Sequence, residues 1–533
     1  MNSINRNMII SGIWMFLAAC SAEQNSTQNM QESQATTITR PKFAVTTTRA
    51  YDTSSIKPYE ENHSDIYAHI DANKEAHIKE VQRWLRQPSI SASNTGIAEM
   101  AEMVRQDFEN MGFQEAALVK TDGHPGVWGY YDAGAEKTLM VYMMYDVQPV
   151  NPEDWKSPPF EANLIEDEKL GTIIMARGAT NQKGPERAFL NAVSSILATQ
   201  GTLPVNLMIT VEGEEELGSP HYPQIIDKYE DRLKTADGVF FPYNSQSPDG
   251  TASFMLGVKG ILYFEAEAHG GTWGGPQTAE IHSSLKAAVD SPVWRLNKAL
   301  SSLVSEDGNT ILVPGYYDGI TPPTEEEMEL INSMVKTDET DKLKTAFNVD
   351  HFIDNQTGVD VQMELIYTPT LNIDGIWGGY SGPGVKTILP HKATAKLDSR
   401  LPLGLDPDIS FKLIREHLDA QGYGDITLRK MASYPGSQTS VNTPLVQSFI
   451  KVFNKYGASS SINPRIAGSA PFYQFTSRLK LPMVPAGLGF GTGAHAPNEI
   501  MLIDPKDGVK AAGLTEIEKA YVDLLFSFAA TEE

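Results

Sequence analysis

VNLMITVEGEEELGSP, Val205 to Pro220, is the stretch that decides how this 533-residue chain is read. Its β-branched, apolar run from Val205 to Val211 predicts a buried strand. The run stops at Gly213 and delivers Glu214, Glu215 and Glu216 to the strand's C-terminal end, and Gly218-Ser219-Pro220 then turn the chain away. In a parallel α/β sheet, ligands bind at the carboxyl ends of the strands. Carboxylates crowded there repel one another, which favours a cation or a raised pKa. A solvated acidic loop is the plainer alternative, and the segments on either side decide between the two.

On the N-terminal side, Asn73 to Leu85 and Gly96 to Gly112 carry helical spacing; in the second, Ile97, Met100, Met103, Val104 and Phe108 share one face. Ala117–Val119, Val127–Tyr130 and Thr138–Tyr145 read as strands. The last, TLMVYMMY, is almost wholly apolar, as a central strand covered on both faces should be, and it ends in Asp146-Val147-Gln148-Pro149. Ile173–Met175 is a further strand, followed by Arg177 to Gly184 (RGATNQKG) and a helix from Pro185 to Ala198. Strands ending in polar loops and alternating with helices predict an α/β fold with its site on one sheet edge.

From about Val258 the pattern changes. LYFEAEAHG, a helix near Pro292–Val304, an acidic and irregular stretch (Glu325–Glu329, Lys336–Lys344), a strand at Ala393–Leu401 and an amphipathic helix at Pro407–Gln421 read as an α+β insertion. The first pattern resumes near Gly436, with a strand at Pro482–Ala486 and a closing helix at Leu514–Phe528. Residues 51–257 and 436–533 are therefore assigned to one domain, and 258–435 to the insertion.

At the N-terminus, Arg6, an apolar core from Met8 to Ala18 and Leu17-Ala18-Ala19-Cys20 read as a targeting segment over 1–20, too short to span a bilayer. Leu-Ala-Ala-Cys resembles a bacterial lipoprotein box, which makes Cys20, the single cysteine, the lipidated residue. The expectation is a periplasmic, lipid-anchored protein, with Ser21 favouring the outer membrane. Residues 21–50, rich in polar residues, read as a disordered tether. A net charge of −24 argues against nucleic acid or an anionic membrane surface as partner, so recognition of an anionic substrate must be local.

Eight separated motifs then carry a resemblance: YDVQP at Tyr145–Pro149, WKSPPFEA at Trp155–Ala162, RGATNQKGP at Arg177–Pro185, EGEEELGSP at Glu212–Pro220, EIHSS at Glu280–Ser284, LDSRLP at Leu397–Pro402, AGSAP at Ala467–Pro471 and AHAPNE at Ala494–Glu499. In this order they resemble the metallopeptidases of the carnosinase, glutamate carboxypeptidase and aminoacylase type, peptidase family 20. The resemblance covers about Ile70 to the C-terminus. It implies a zinc-peptidase-like α/β catalytic domain with an inserted α+β lid through which two copies dimerise. It also implies cleavage of an amide beside a carboxylate-bearing residue, by water activated between two divalent ions.

Carried over by position, the resemblance makes Glu215 the general base, Glu216 and His495 ligands of the second metal, and Asp146 the acid that orients a metal-bound histidine. Arg400 falls on the residue that holds the substrate's carboxylate, its plainer alternative being a salt bridge with Asp398. Ser469 with Gly468 falls on a loop touching the same carboxylate, and His282 on the lid histidine that reaches a second subunit's site. The departures lie in the first metal site. Met144 stands where the family has histidine, Asn181 where it has the bridging aspartate, and Tyr243 (with Pro242 or Asn244 as alternatives) where it has an acid. A thioether is a poor ligand for zinc or manganese, and an amide carries no charge to bridge two dications. At most one divalent ion is expected, held by Glu216 and His495 with Asn181 as a weak third ligand, or none. The expected function is hydrolysis of a small carboxylate-bearing amide, or another proton-transfer reaction in the same site. The alternatives are a non-catalytic lipoprotein that keeps the carboxylate pocket, and a conventional dinuclear peptidase whose ligands lie elsewhere.

Overall fold

Every residue of the strand Thr138–Met144 is apolar or tyrosine apart from its first, so its two faces are told apart only by what they meet. In a computed structural model of the chain, which describes residues 38–335 and 339–531, Leu139, Val141 and Met143 enter one core and Met140, Tyr142 and Met144 another. This is the period of two expected of a strand buried on both sides. The strand lies in a six-stranded sheet whose spatial order is Glu115–Val119, Gly126–Tyr131, Asn206–Glu212, Thr138–Met144, Gly238–Pro242 and Met483–Ala486. The last four are parallel, and the first two run antiparallel at one edge. The first core lies under the helices Lys74–Arg86, Lys183–Gln200, Pro444–Lys455 and Leu514–Ala529. The second lies under the helix Tyr222–Leu233 and the wide turn at Gln474–Leu479.

A smaller antiparallel sheet, ordered Gly491–Thr492, Ile500–Pro505, Gly171–Met175, Asn163–Asp167, stands beside the main one. It brings the loops that follow Met175 and Thr492 to the same edge. The signal segment, Cys20 and the tether through residue 37 lie outside the described residues. Among the described residues, no helix is long and apolar enough to cross a membrane.

The insertion is a four-stranded antiparallel sheet ordered Asn372–Trp377, Lys392–Leu401, Gly260–His269 and Thr427–Tyr434. Helices Pro292–Ser301 and Pro407–Ala420 pack on one face, where Leu262, Phe264, Ala266 and Ala268 alternate inward. It joins the body through a short antiparallel pair, Gly257–Val258 with Ser437–Gln438.

Two expectations are corrected. The acidic stretch is helical, not irregular: Glu325–Met334 and Glu339–Phe347 are helices. Thr324 and Glu327 form a capping box, and the acids of the first turn complement the helix dipole. Leu330 of this helix enters the body's main core, and the buried Glu327 pairs with the buried Arg465 of the body at 2.6 Å, so this part of the 258–435 span packs on the body as well. Second, the tether reading of 21–50 does not extend through its last residues. Arg40 pairs with Asp354 (2.6 Å), Phe43 packs edge-on to Tyr367, Arg49 pairs with Glu325 (2.6 Å), and Asn332 donates to the Thr47 and Arg49 carbonyls. Average polarity hides these few residues, whose partners come from the acidic helix and its neighbours.

Candidate active site

The strand Asn206–Glu212 ends where Tyr145, one residue past its parallel neighbour, lies across the chain: a Cβ at position 213 would sit 2.2 Å from the Tyr145 ring. Gly213 lets the backbone pass, and Glu215–Leu217 then close a single 3-10 turn ended by Gly218 at φ 87°. Register places Met144 opposite Glu212, so the two strands deliver Asp146 and Glu215–Glu216 to one point. There Asp146, fully buried, accepts the backbone N–H groups of Glu215 and Glu216, each at 3.1 Å. Its observed task is thus to hold the acidic turn, where the resemblance has it orienting a histidine.

Two loops far apart in sequence are clamped to this point by Glu499. Its buried carboxylate accepts from Arg177 Nη1 (2.7 Å) and from the N–H groups of Gly178 (3.0 Å), Thr180 (2.9 Å) and Asn181 (2.8 Å). Motif RGATN is thereby tied to motif AHAPNE. Asn181 Nδ2 consequently lies 2.7 Å from Glu216 Oε1 and 3.2 Å from His495 Nε2, and His495 Nε2 lies 3.2 Å from Glu216 Oε2. His495 itself sits at φ 63°. Gln148 Nε2 donates to the same Glu216 Oε2 at 2.7 Å. Both oxygens of Glu216 are therefore satisfied, two of the three contacts coming from neutral amides.

Crowded acids shape the electrostatics. Burial, reinforced by the Glu216 and Asp146 charges, pushes the Glu215 carboxyl up to about 8. Burial, with the Glu216 charge adding to it and the two turn N–H groups opposing, raises Asp146 to about 7. Behind them, burial holds Glu186 and Glu212 far above the carboxylate range. Glu186 accepts the Met144 N–H (2.8 Å), and Glu212 accepts from Tyr142 (2.6 Å) and Ser219 (2.8 Å). The Tyr243 phenol is raised by burial and by the Glu215 charge, which places it in the same field.

The three first-site positions converge unequally. Asn181 touches Glu216 and His495, Tyr243 lies in the field of Glu215, and the Met144 side chain packs into the second core with Tyr142 and Phe241. Among the described residues, no group of three or more His, Cys, Asp or Glu side chains is placed to hold a metal ion. Glu216 and His495 are two ionisable ligands, short of the three protein ligands usual at catalytic zinc. His124, in the loop before Val127–Tyr130, is bonded to the Ser91 carbonyl (2.9 Å).

On the lid side, Arg400 Nε donates to Asp398 (2.7 Å), so the plainer reading of this residue is realised through Nε. Its terminal nitrogens have no partner among the described residues. The Tyr434 hydroxyl links the two sides: burial raises it to about 12, with the Glu215 charge pushing up and Arg400 pushing down, and its ring stacks on Tyr473 at 5.6 Å. The Ser469 hydroxyl donates to the Gly260 carbonyl (3.0 Å) at the hinge, where the Gly468 carbonyl accepts from Lys259 N–H (2.9 Å). His282 is exposed on a lid hairpin, bonded to Ser284 Oγ (2.8 Å) and Thr387 Oγ1 (3.2 Å), and is not brought to Glu215 within this chain. Sequence reasoning passed over Gln148, Glu499 and Tyr434. The first two lie inside quoted motifs, and only their contacts reveal their work.

The sequence profile of Peptidase family M20/M25/M40 matches residues 140–514. The Cys-Gly metallodipeptidase dug1 of Schizosaccharomyces pombe is 30% identical over 372 residues, 66% of this chain and 75% of that protein. The Beta-Ala-His dipeptidase of Mus musculus is 28% identical over 383 residues, 68% of this chain and 73% of that protein. Among solved structures, the M20 family metallo-carboxypeptidase Sso-CP2 from Sulfolobus solfataricus superposes with a TM-score of 0.74 at 34% identity, covering 85% of this chain and 98% of its own. Peptidases of this family are metal-dependent. With the motifs in order, the two-part α/β architecture and the profile spanning most of the folded chain, this protein belongs to Peptidase family M20/M25/M40.

Proposed function

We propose that the protein is a hydrolase of small dipeptides or N-acyl amino acids, which holds the substrate's free carboxylate at Arg400 and works on the neighbouring amide with the Glu215 carboxyl, the first metal site being lost. The observation that carries this reading is Glu215 itself. It is a half-buried acid held near pH 8 by burial and by its acidic neighbours, and its charge reaches the Tyr434 hydroxyl that Arg400 also reaches. A carboxyl whose pKa lies near the working pH can both take and return a proton. In one turnover the carboxylate takes a proton from the water that attacks the amide carbon, and the acid so formed returns it to the nitrogen as the C–N bond breaks; a value near 8 keeps both forms accessible.

Loss of the first metal site is supported by the chemistry of its donors. A core-packed thioether at Met144, an amide at Asn181 and a phenol at Tyr243 supply neither the imidazole nor the carboxylates that two dications need. These residues do not fit a dinuclear centre, and at most one divalent zinc or manganese ion has ligands here, in Glu216 and His495. Lid-to-lid pairing of two copies is supported by Ile373, Ile376 and Trp377, about half exposed on the lid's edge strand, and by His282, exposed on the lid hairpin. The leader ending at Cys20 supports a lipid-anchored, periplasmic location.

Metal analysis of the purified protein and turnover on a panel of dipeptides and N-acyl amino acids test the reading. The expected result is no more than one divalent ion per chain and, for Glu215→Gln, a loss of about a hundredfold or more in kcat. Parent-like turnover in Glu215→Gln, or two tightly held ions per chain, refutes it.

A further inference from the structure

Beside Arg400, where the hinge, the lid sheet and the 305–372 segment meet, lies a cavity of about 290 Å³. Its walls are mainly hydrocarbon, from side chains such as Ile353, Val361, Leu365 and Leu371. Three cations line it, and one of them, Arg40, is already paired with Asp354 and Glu364. Arg400 contributes a guanidinium whose terminal nitrogens are unpartnered among the described residues. Lys259 is 1% exposed, and its ammonium makes one hydrogen bond, to the Thr368 carbonyl at 2.6 Å.

Asp398, behind the wall, takes the Arg400 Nε (2.7 Å), and no carboxylate is within hydrogen-bond reach of the Lys259 ammonium among the described residues. Glu364 is taken up by Arg40 (3.6 Å), the Thr368 hydroxyl (2.6 Å) and Gln356 (3.1 Å). Burial and the neighbouring Arg465 and Arg400 guanidinium groups lower Lys259 to about 7, with Glu364 opposing. An ammonium buried among guanidinium groups is costly until an anion joins it. The site is thus cationic at one end and apolar along its length, in a chain of net charge −24.

We propose that this cavity takes the apolar side chain of the residue that carries the substrate's carboxylate, with the carboxylate lying between the Arg400 guanidinium and the Lys259 ammonium. The inference rests on the function proposed above for the identity of that carboxylate, and it narrows the substrate class to peptides or N-acyl amino acids ending in a bulky apolar residue.

Calorimetric binding of N-acetylglycine, N-acetylleucine and N-acetylphenylalanine to the Glu215→Gln protein tests this without requiring turnover. The two large ligands should bind about tenfold or more tightly than N-acetylglycine, as burial of an apolar side chain requires. Leu365→Trp, which fills the cavity, should bring the ratio to about one by removing that burial. Lys259→Met should weaken all three about tenfold, the scale of a lost charged hydrogen bond. Ile353→Trp serves as a second filling variant, and a thermal melt of each variant checks folding. Equal affinities in the unfilled protein, or a ratio that a folded filling variant leaves intact, overturns the cavity assignment alone. Failure of all three ligands to bind overturns the carboxylate reading of Arg400 together with the cavity.

Discussion

Body and lid meet the site with opposite charge. The body's sheet edge presents Asp146, Glu215 and Glu216, backed by Glu186, Glu212 and Glu499, and the strain of crowding them is relieved by protonation and by donated amides. The lid and hinge present Arg400 and Lys259, with Arg465 behind them paired to Glu327. The difference teaches a division of labour. On the function proposed above, the body would move the proton and the hinge side would hold the carboxylate, so a substrate with a free carboxylate would be oriented by the field between the two, although the protein as a whole repels it.

The strongest way to break this contrast is to remove the anion that keeps the hinge side folded. Glu327→Ala leaves Arg465 buried without its carboxylate and with the Gln438 amide oxygen (3.0 Å) as acceptor, and a loss of about 3–5 kcal/mol is expected in urea unfolding, against which a near-neutral result would argue that water replaces the carboxylate. Next in size, Arg400→Met takes the substrate anchor from the lid side. KM should rise about tenfold to a hundredfold, the scale of one or two charged hydrogen bonds, with kcat changed less. An unchanged KM would place the carboxylate elsewhere.

The smallest effect sharpens the body side. Glu215 and Asp146 have folded pKa values of about 8 and about 7, above the ordinary carboxylate range. The folded state therefore binds these protons more tightly than the unfolded chain does, so their contribution to stability is full below the unfolded carboxyl value and is lost as pH rises towards 8. The melting temperature should fall by a few degrees between about pH 5.5 and about pH 8.5, and Glu215→Gln should flatten part of that fall. A variant with the parent's full slope would remove Glu215 as its source.

Much of the arrangement is legible before folding because it depends on local chemistry. The apolar, β-branched run Val205–Val211 reads as a buried strand and Gly213 as its end, and the strand is observed at Asn206–Glu212. The family resemblance carried by the motifs implies one neighbourhood for Asp146, Asn181, Glu216 and His495, and the structure brings the four together. Residues 40–50 and the acidic helix mislead because their order comes from each other: Arg40 and Arg49 find their acids some 280 to 310 residues away, which no window of sequence contains.

The residue types at the metal positions belong to the sequence itself, since no fold can give a thioether or an amide the charge of a carboxylate. Which groups meet the Glu216 carboxylate is settled by three-dimensional packing alone. Gln148 and Asn181 donate to Glu216 because Glu499 clamps one loop and the register of two parallel strands sets the other. Likewise, Lys259 and Arg400 become neighbours across one cavity only when the hinge and the lid sheet are folded together, because burial, which makes the Lys259 charge costly, is a property of the assembled fold and not of the residues.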